Sequence, residues 1–261
     1  QLELYGKLLR TDRCRYVAAD TISDGVADDY LQRYTRFRDK CAQLTRACAR
    51  ELLEKSGLPP RRVACVVTNT TVGGMVPNLS SVIGNELGLP SKTRVIDLGY
   101  MGCATALLGL ELAERQLKAG EFGIVLSAEL TSVMTNLMSD RPESLIANTV
   151  FGDGVGAFLV AKRPYAAVPR CGFPALRILQ HAGDVQTDDE SMNVITYEPN
   201  PIYHEIHLNE GIIGAAERGV RSVLEPLIRQ RLASPADKMR WLLHRRIPQW
   251  QRSIAGVPAR G

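Results

Sequence analysis

The sequence predicts an α/β protein built on a parallel sheet, and three observations carry that reading. Short continuous apolar runs at Val63-Ala-Cys-Val-Val-Thr68, Arg94-Val-Ile-Asp-Leu98 and Phe122-Gly-Ile-Val-Leu-Ser127 have the length and composition of buried strands. Stretches with helical spacing alternate with them, an order that calls for right-handed crossovers. Gly57, Gly88 and Gly120 stand where those helices should stop.

In chain order, residues 1–25 read as irregular. A long helix is expected over 27–56, where Leu44, Ala47, Cys48, Leu52 and Leu53 recur at helical spacing among Arg and Glu. Pro59-Pro60 punctuates before the first strand. A loop over Thr68–Pro77 leads to a short helix, Ser80 to Leu87. After the third strand, Glu129 to Glu143 reads as a polar loop over the site. Residues 145–161 then give a helical approach, a glycine-rich turn and a strand. Gly152, Gly154 and Gly156 precede a strand, so they form no dinucleotide fingerprint, and close backbone packing is their expected task. Leu176–His181 reads as a strand, 183–205 as a polar surface excursion, and Glu210–Leu232 as a second long helix. A short strand at Trp241–His244 and a helix over Pro248–Ile254 complete the expectation.

The organising stretch is Val95 to Gly120. A strand ends in the corner Gly99-Tyr-Met-Gly102; Cys103 follows, and an Ala/Leu-rich helix is expected over Ala104–Lys118. A cysteine at the positive end of a helix has its thiolate favoured by free N–H groups and the dipole. Gly102 permits a strained turn and a close backbone approach. Two readings stand at this point: a nucleophile on a strand–turn–helix elbow, or a small buried apolar side chain.

The composition is that of an ordinary soluble globular protein, with 45% hydrophobic and 23% charged residues. No apolar run reaches the ~18 residues of a membrane span, and the first residues lack the apolar core of a secretory signal. The absence of an initiator Met suggests that the true start is missing. The net charge of +4 is spread along the chain. That argues against a nucleic-acid tail and fits an anionic small molecule or an acidic carrier. Cys14, Cys41, Cys48, Cys65, Cys103 and Cys171 show no zinc spacing, so six free thiols in a reducing cytoplasm are expected and no metal. Arg10, Arg13 and Arg15 cluster beside Tyr16, either as a solvated face or as a weak phosphate site.

Four pieces in order carry a family resemblance. They are Thr70-Thr-Val-Gly-Gly-Met-Val-Pro77 with Gly88-Leu-Pro90; Gly102-Cys103-Ala104 opening an apolar helix; Ser127-Ala-Glu129; and Phe151-Gly-Asp-Gly154 before a strand. Arg15-Tyr16 also fits. The chain resembles the thiolase-fold condensing enzymes, closest to type III polyketide synthases of the chalcone synthase kind and β-ketoacyl-ACP synthase III. The likeness is convincing over about 1–165 and weaker beyond; the pairing of FGDG with the Gly-Cys turn makes it specific.

The resemblance implies a layered αβαβα fold, with an N-terminal half over 1–165 carrying the nucleophile. A second half over 166–261 is apparently incomplete. It implies that Cys103 carries an acyl group as a thioester from acyl-CoA or an acyl-carrier protein, with no permanently bound cofactor, and that His244 is the partner base. An exposed surface histidine is the alternative for His244, given Arg245 and Arg246 beside it. It further implies a cytoplasmic homodimer paired through the strand at Phe122–Ser127, with Met75-Val76-Pro77 reaching toward the neighbour. No Asn of the family's Cys–His–Asn site follows His244 within this chain, and Thr135 stands near the family's gatekeeper phenylalanine. The expected activity is condensation with a malonyl-derived extender. The alternatives are non-elongating transfer to an ester or amide, or a non-catalytic partner subunit.

Overall fold

The structure is a computed structural model that describes residues 29–162, 178, 180–200 and 203–231. They fall into two compact units. The larger takes in 29–162 and Thr196–Leu208; the smaller takes in Gln180–Ile195 and the described residues from Asn209.

The larger unit opens with α1, Tyr30–Ser56. Asp29 caps it by accepting from the Gln32 N–H, and Gly57 closes it in the left-handed region at φ 64°. Then come β1 (Val63–Thr70), α2 (Leu79–Glu86), β2 (Arg94–Gly99), α3 (Thr105–Gln116) and β3 (Phe122–Glu129). After these follow α4 (Pro142–Val150) and β4 (Gly154–Ala161). The strand order is β2-β1-β3-β4; β2, β1 and β3 run parallel and β4 returns antiparallel to β3. The three apolar runs are therefore the three parallel strands, as their composition requires.

Strand alternation sorts the core into two layers. Cys65 and Val67 of β1 and Val125 of β3 pack with Ala113 and Leu117 around α3. Gly109 of α3 sits so close to the sheet that a Cβ there would lie 3.1 Å from Val125 Cγ1. Val66, Ile124 and Leu126 are fully buried too and point to the opposite face, where α1 packs on β3 and β4.

Several expectations give way here. Residues 183–205 are a surface excursion only in their first part: most described residues from 183 to 193 are exposed, with a one-turn helix, α5 (Asp189–Met192), among them. The rest enters a hairpin, β5 (Ile195–Asn200) with β6 (Tyr203–Leu208), where Tyr203 and Glu205 are buried, as are Ile206, His207 and Leu208 just beyond the expected range. Of the expected strand over 176–181, the described residues 178, 180 and 181 are irregular. No close packing surrounds Gly154 or Gly156, where an added Cβ would meet nothing within 4 Å. Nor is β3 an edge: β1 and β4 take both its sides, so a neighbour cannot continue the sheet through Phe122–Ser127.

In the smaller unit, α5 packs on α6 (Ile212–Arg231). Gln186 Nε2 donates to the Ala215 carbonyl at 2.9 Å, and Arg218 pairs with Glu190 at 3.6 Å. Val220, Val223, Leu224 and Leu227 are half-buried on one face of α6, as the periodicity predicts. The strand at Trp241–His244 and the helix over Pro248–Ile254 lie outside the described residues.

Candidate active site

Cys103 sits where β2 runs out and α3 begins. Tyr100 and Gly102 both take left-handed backbone, at φ 56° and 78°. The Gly102 conformation is the turn expected of it, although a Cβ there would meet nothing, so close approach is not its reason. The Thr105 hydroxyl donates back to the Gly102 carbonyl and locks the corner. The N-cap, Ala104, has no side-chain group to satisfy the first-turn N–H donors. Cys103 is exposed, which removes the reading as a buried apolar side chain. The other described cysteines are less accessible: burial pushes the Cys41 thiol up to about 12 and raises Cys48 and Cys65 as well.

Beside this corner stands the end of β3. Glu129 accepts from the Thr71 N–H at 3.1 and 3.0 Å and from the Thr71 hydroxyl at 2.7 Å. Burial raises its carboxyl, and the Thr71 bonds pull against that. Tyr197 of β5 completes the group. Its phenol hydrogen-bonds Thr71 and lies within electrostatic reach of Cys103, Glu129 and Tyr100. Burial raises the phenol above its ordinary range; Thr71 pulls the other way, and the three neighbours add smaller upward effects. Tyr197 was invisible in the sequence, because only the hairpin brings it to Cys103.

The FGDG segment folds around the turn that follows Glu129. The Ser132 N–H and hydroxyl donate to Asp153 at 2.9 and 2.6 Å, and the Thr131 hydroxyl donates to the Gly152 carbonyl at 3.0 Å. Thr131 to Thr135 are all buried, so this stretch is a wall and not a polar cover. From the other side, Arg33 of α1 donates to the Val133 and Thr135 carbonyls at 2.9 and 2.7 Å. A small recess results, lined by Thr131, Met134, Thr135, Asn148, Phe151 and Ile206 among others. Thr135, Phe151 and the turn after Glu129 thus meet in one place. His244 and the Arg10, Arg13 and Arg15 cluster lie outside the described residues. Among the described residues no group of His, Cys, Asp and Glu has the arrangement of a metal site.

A sequence profile of the FAE1/Type III polyketide synthase-like proteins matches residues 26–224. The chain belongs to that family. Polyketide synthase 37 of Dictyostelium discoideum is 28% identical over 162 residues, 60% of this chain and 6% of that protein. 3-ketoacyl-CoA synthase 2 of Arabidopsis thaliana is 31% identical over 114 residues, 43% of this chain and 21% of that protein. Among solved structures, the 1,3,6,8-tetrahydroxynaphthalene synthase of Streptomyces coelicolor A3(2) superposes with a TM-score of 0.76 at 19% identity. That match covers 93% of this chain and 67% of the other. Germicidin synthase of Streptomyces coelicolor gives 0.68 at 19% identity, over 82% of this chain and 54% of the other. The fold is thiolase-like, and the chain spans only part of each relative. No helix among the described residues is long and apolar enough to cross a membrane.

Proposed function

We propose that this chain is a condensing acyltransferase of the polyketide or ketoacyl synthase type. The observation that carries the reading is the placement of Cys103: an exposed thiol at an uncapped helix start, within electrostatic reach of Tyr197, in a member of this family. The Cys103 thiolate attacks the thioester carbonyl of acyl-CoA or an acyl-carrier protein. The tetrahedral oxyanion collapses, the carbon–sulfur bond to the carrier breaks, and the carrier thiolate leaves and takes up a proton. His244 is assigned to accept and return the Cys103 proton, and the Cys103 N–H to face the oxyanion. A malonyl-derived carbanion, formed as carbon dioxide leaves, then attacks the acyl-Cys103 carbonyl and frees the thiolate. Arg10, Arg13 and Arg15 are assigned to the carrier's phosphate. No resident cofactor is called for, and a cytoplasmic setting suits free thiols.

A homodimer belongs to the same reading, with its route revised. Among the described residues β2 and β4 are the edge strands, and Val95 on β2 is 42% exposed. A neighbour would pair through such an edge.

One feature favours simple transfer over elongation: Thr135, a small hydroxyl side chain, lines the recess near the position that the resemblance gives to an aromatic gatekeeper. Intact mass after incubation with acyl-CoA donors tests the proposal. An acyl adduct that maps to Cys103 is expected, and its absence across a panel of donors overturns the reading in favour of a partner subunit. Carbon dioxide release from malonyl-CoA separates condensation from simple transfer.

A further inference from the structure

The turn before Cys103 takes its shape locally, but part of what holds it comes from far along the chain. Among the described residues Tyr100 alone combines left-handed backbone, at φ 56°, with a side chain beyond hydrogen. Glycine adopts that conformation freely, as Gly102 does two residues later at φ 78°. A residue with a Cβ is disfavoured there, and a bulky one keeps it only where the surroundings impose it. Tyr100 is 52% exposed, so the demands of a buried core do not explain an aromatic residue at this position.

Three contacts impose the conformation. The Tyr100 N–H donates to the Thr70 carbonyl at 3.2 Å, at the end of β1. The phenol is hydrogen-bonded by the backbone of Gly74, in the loop after β1. The ring meets His204 of β6 edge-on, with centroids 6.2 Å apart and planes at 86°. His204 is itself held among rings, with Tyr203 at 5.1 Å and Tyr30 of α1 at 6.0 Å. Tyr30 packs on Tyr203 at 5.0 Å, and Tyr203 is fully buried. The side chain of Tyr100 thus ties the turn to a loop, a helix and the hairpin at once.

We propose that Tyr100 is a positioning residue for Cys103: its backbone bends the chain out of β2, and its side chain, held by Gly74 and His204, keeps that bend fixed so that the thiol stays at the start of α3. This deepens the function proposed above and rests on Cys103 as the nucleophile; the hold of Tyr100 on the turn does not. A thiol that drifts from the helix start loses the N–H groups and the dipole that favour its thiolate, and it meets the thioester carbonyl less often in line. Tyr100→Gly keeps the backbone conformation and removes the anchor. Tyr100→Phe keeps the ring contact with His204 and removes only the phenol.

The test compares wild type with Tyr100→Gly, Tyr100→Phe and His204→Ala, using two readouts. One is the pH profile of Cys103 alkylation by iodoacetamide, read on the Cys103 peptide by mass. The other is the rate of Cys103 acylation by the faster of acetyl-CoA and octanoyl-CoA. In Tyr100→Gly the alkylation profile should move to higher pH by about half a unit or more, and acylation should slow about tenfold or more. Tyr100→Phe should keep the wild-type profile and lose no more than about threefold in rate, and His204→Ala should fall between the two. A folded Tyr100→Gly with the wild-type profile and a rate within about twofold overturns the proposal. A Tyr100→Phe that loses as much as Tyr100→Gly overturns the anchor on His204. Should Tyr100→Gly fail to fold, His204→Ala is judged on the same readouts, and wild-type values in both sink the proposal. A wild type loaded by neither donor overturns the nucleophile reading, and the alkylation profile still decides whether Tyr100 holds the turn.

Discussion

The turn at Cys103 and the β5–β6 hairpin lie in the same unit and are built on opposite principles. The turn is exposed and local: Gly102, Cys103 and Thr105 set its shape from within a few residues. Strand β6 is buried and its contacts are non-local: Glu205 is held by partners sixty or more residues away in sequence, Ser144 and Asn136. The contrast teaches where chemistry and stability separate. A nucleophile must meet substrate, so it can be altered at little cost to the fold. Side chains that wall a recess are packed, and altering them disturbs the fold first.

The sharpest test of this contrast is at Cys103. Replacing it with Ala should abolish the acyl adduct outright and leave thermal stability within about 0.5 kcal/mol of wild type. Iodoacetamide at neutral pH should mark Cys103 before the other described thiols. With its thiol pushed up to about 12, Cys41 should lag an ordinary thiol by about 10³ from thiolate fraction alone. First labelling of Cys41 or Cys65 would remove the nucleophile assignment. The opposite pattern is expected at Tyr203, a fully buried side chain on β6. Tyr203→Ala should cost about 3–5 kcal/mol in urea unfolding, as large aromatic truncations do. A loss under about 1 kcal/mol would mean that the hairpin does not belong to the folding core.

Gly73 probes the seam between the two regions. A Cβ there would lie 2.7 Å from Phe37 Cε1 and 2.7 Å from Tyr203 Oη. Gly73→Ala should therefore destabilise by about 1–3 kcal/mol through overpacking. Replacing Tyr203 with Phe as well removes the polar one of these two contacts and should return part of that loss. Denaturation of the four proteins in a double-mutant cycle reads the coupling; strict additivity would refute the contact.

What the sequence showed follows the same divide. β1 and β3 were legible because both their faces are covered, so each reads as an apolar run, as in Val63–Thr68; β2, an edge strand with Val95 42% exposed, was legible from its short apolar core alone. Gly57 and Gly88 ended their helices as a left-handed glycine should. The Cys103 corner was legible because its determinants are neighbours in sequence. The hairpin was not. Tyr203-His-Glu-Ile-His-Leu208 looks polar, and its charges are buried only because Ser144, Asn136 and Glu198 come to meet them. The only local signal was the Pro199-Asn-Pro201 break before a short run with Tyr203, Ile206 and Leu208, since its two faces, Tyr/Glu/His and His/Ile/Leu, do not separate apolar from polar. Residues 176–181 erred the other way: strand-like locally, with Ile178 41% exposed in irregular backbone. Tyr197 and the Asp153–Ser132 clasp could not be read from local pattern, since each depends on distant segments meeting.

The smallest effect concerns the charge on Glu205. Burial disfavours its ionised form, but hydrogen bonds from Ser144, Asn136 and Ser139, with the field of His207, outweigh burial and hold the carboxyl below its ordinary 4.5. The charged groups around it are His207 on its own strand, Glu198 on β5 and, through Glu198, Arg141. A folded value below the unfolded one means that the ionised form stabilises the native state. That contribution is fully present above about 4.5 and is lost as pH falls through the folded value. Glu205→Gln has no such titration, so the stability of wild type relative to this variant should shrink on acidification below about 4.5. The difference is the quantity to measure. Glu129, raised by burial, titrates in the opposite sense, but it does so in both proteins and cancels. Urea unfolding of the pair at a series of pH values from neutral downward gives the curve. A wild-type advantage that is flat with pH would show that the folded carboxyl titrates as the unfolded one does, and an advantage that grows on acidification would show that Glu205 stays a neutral acid in the folded protein.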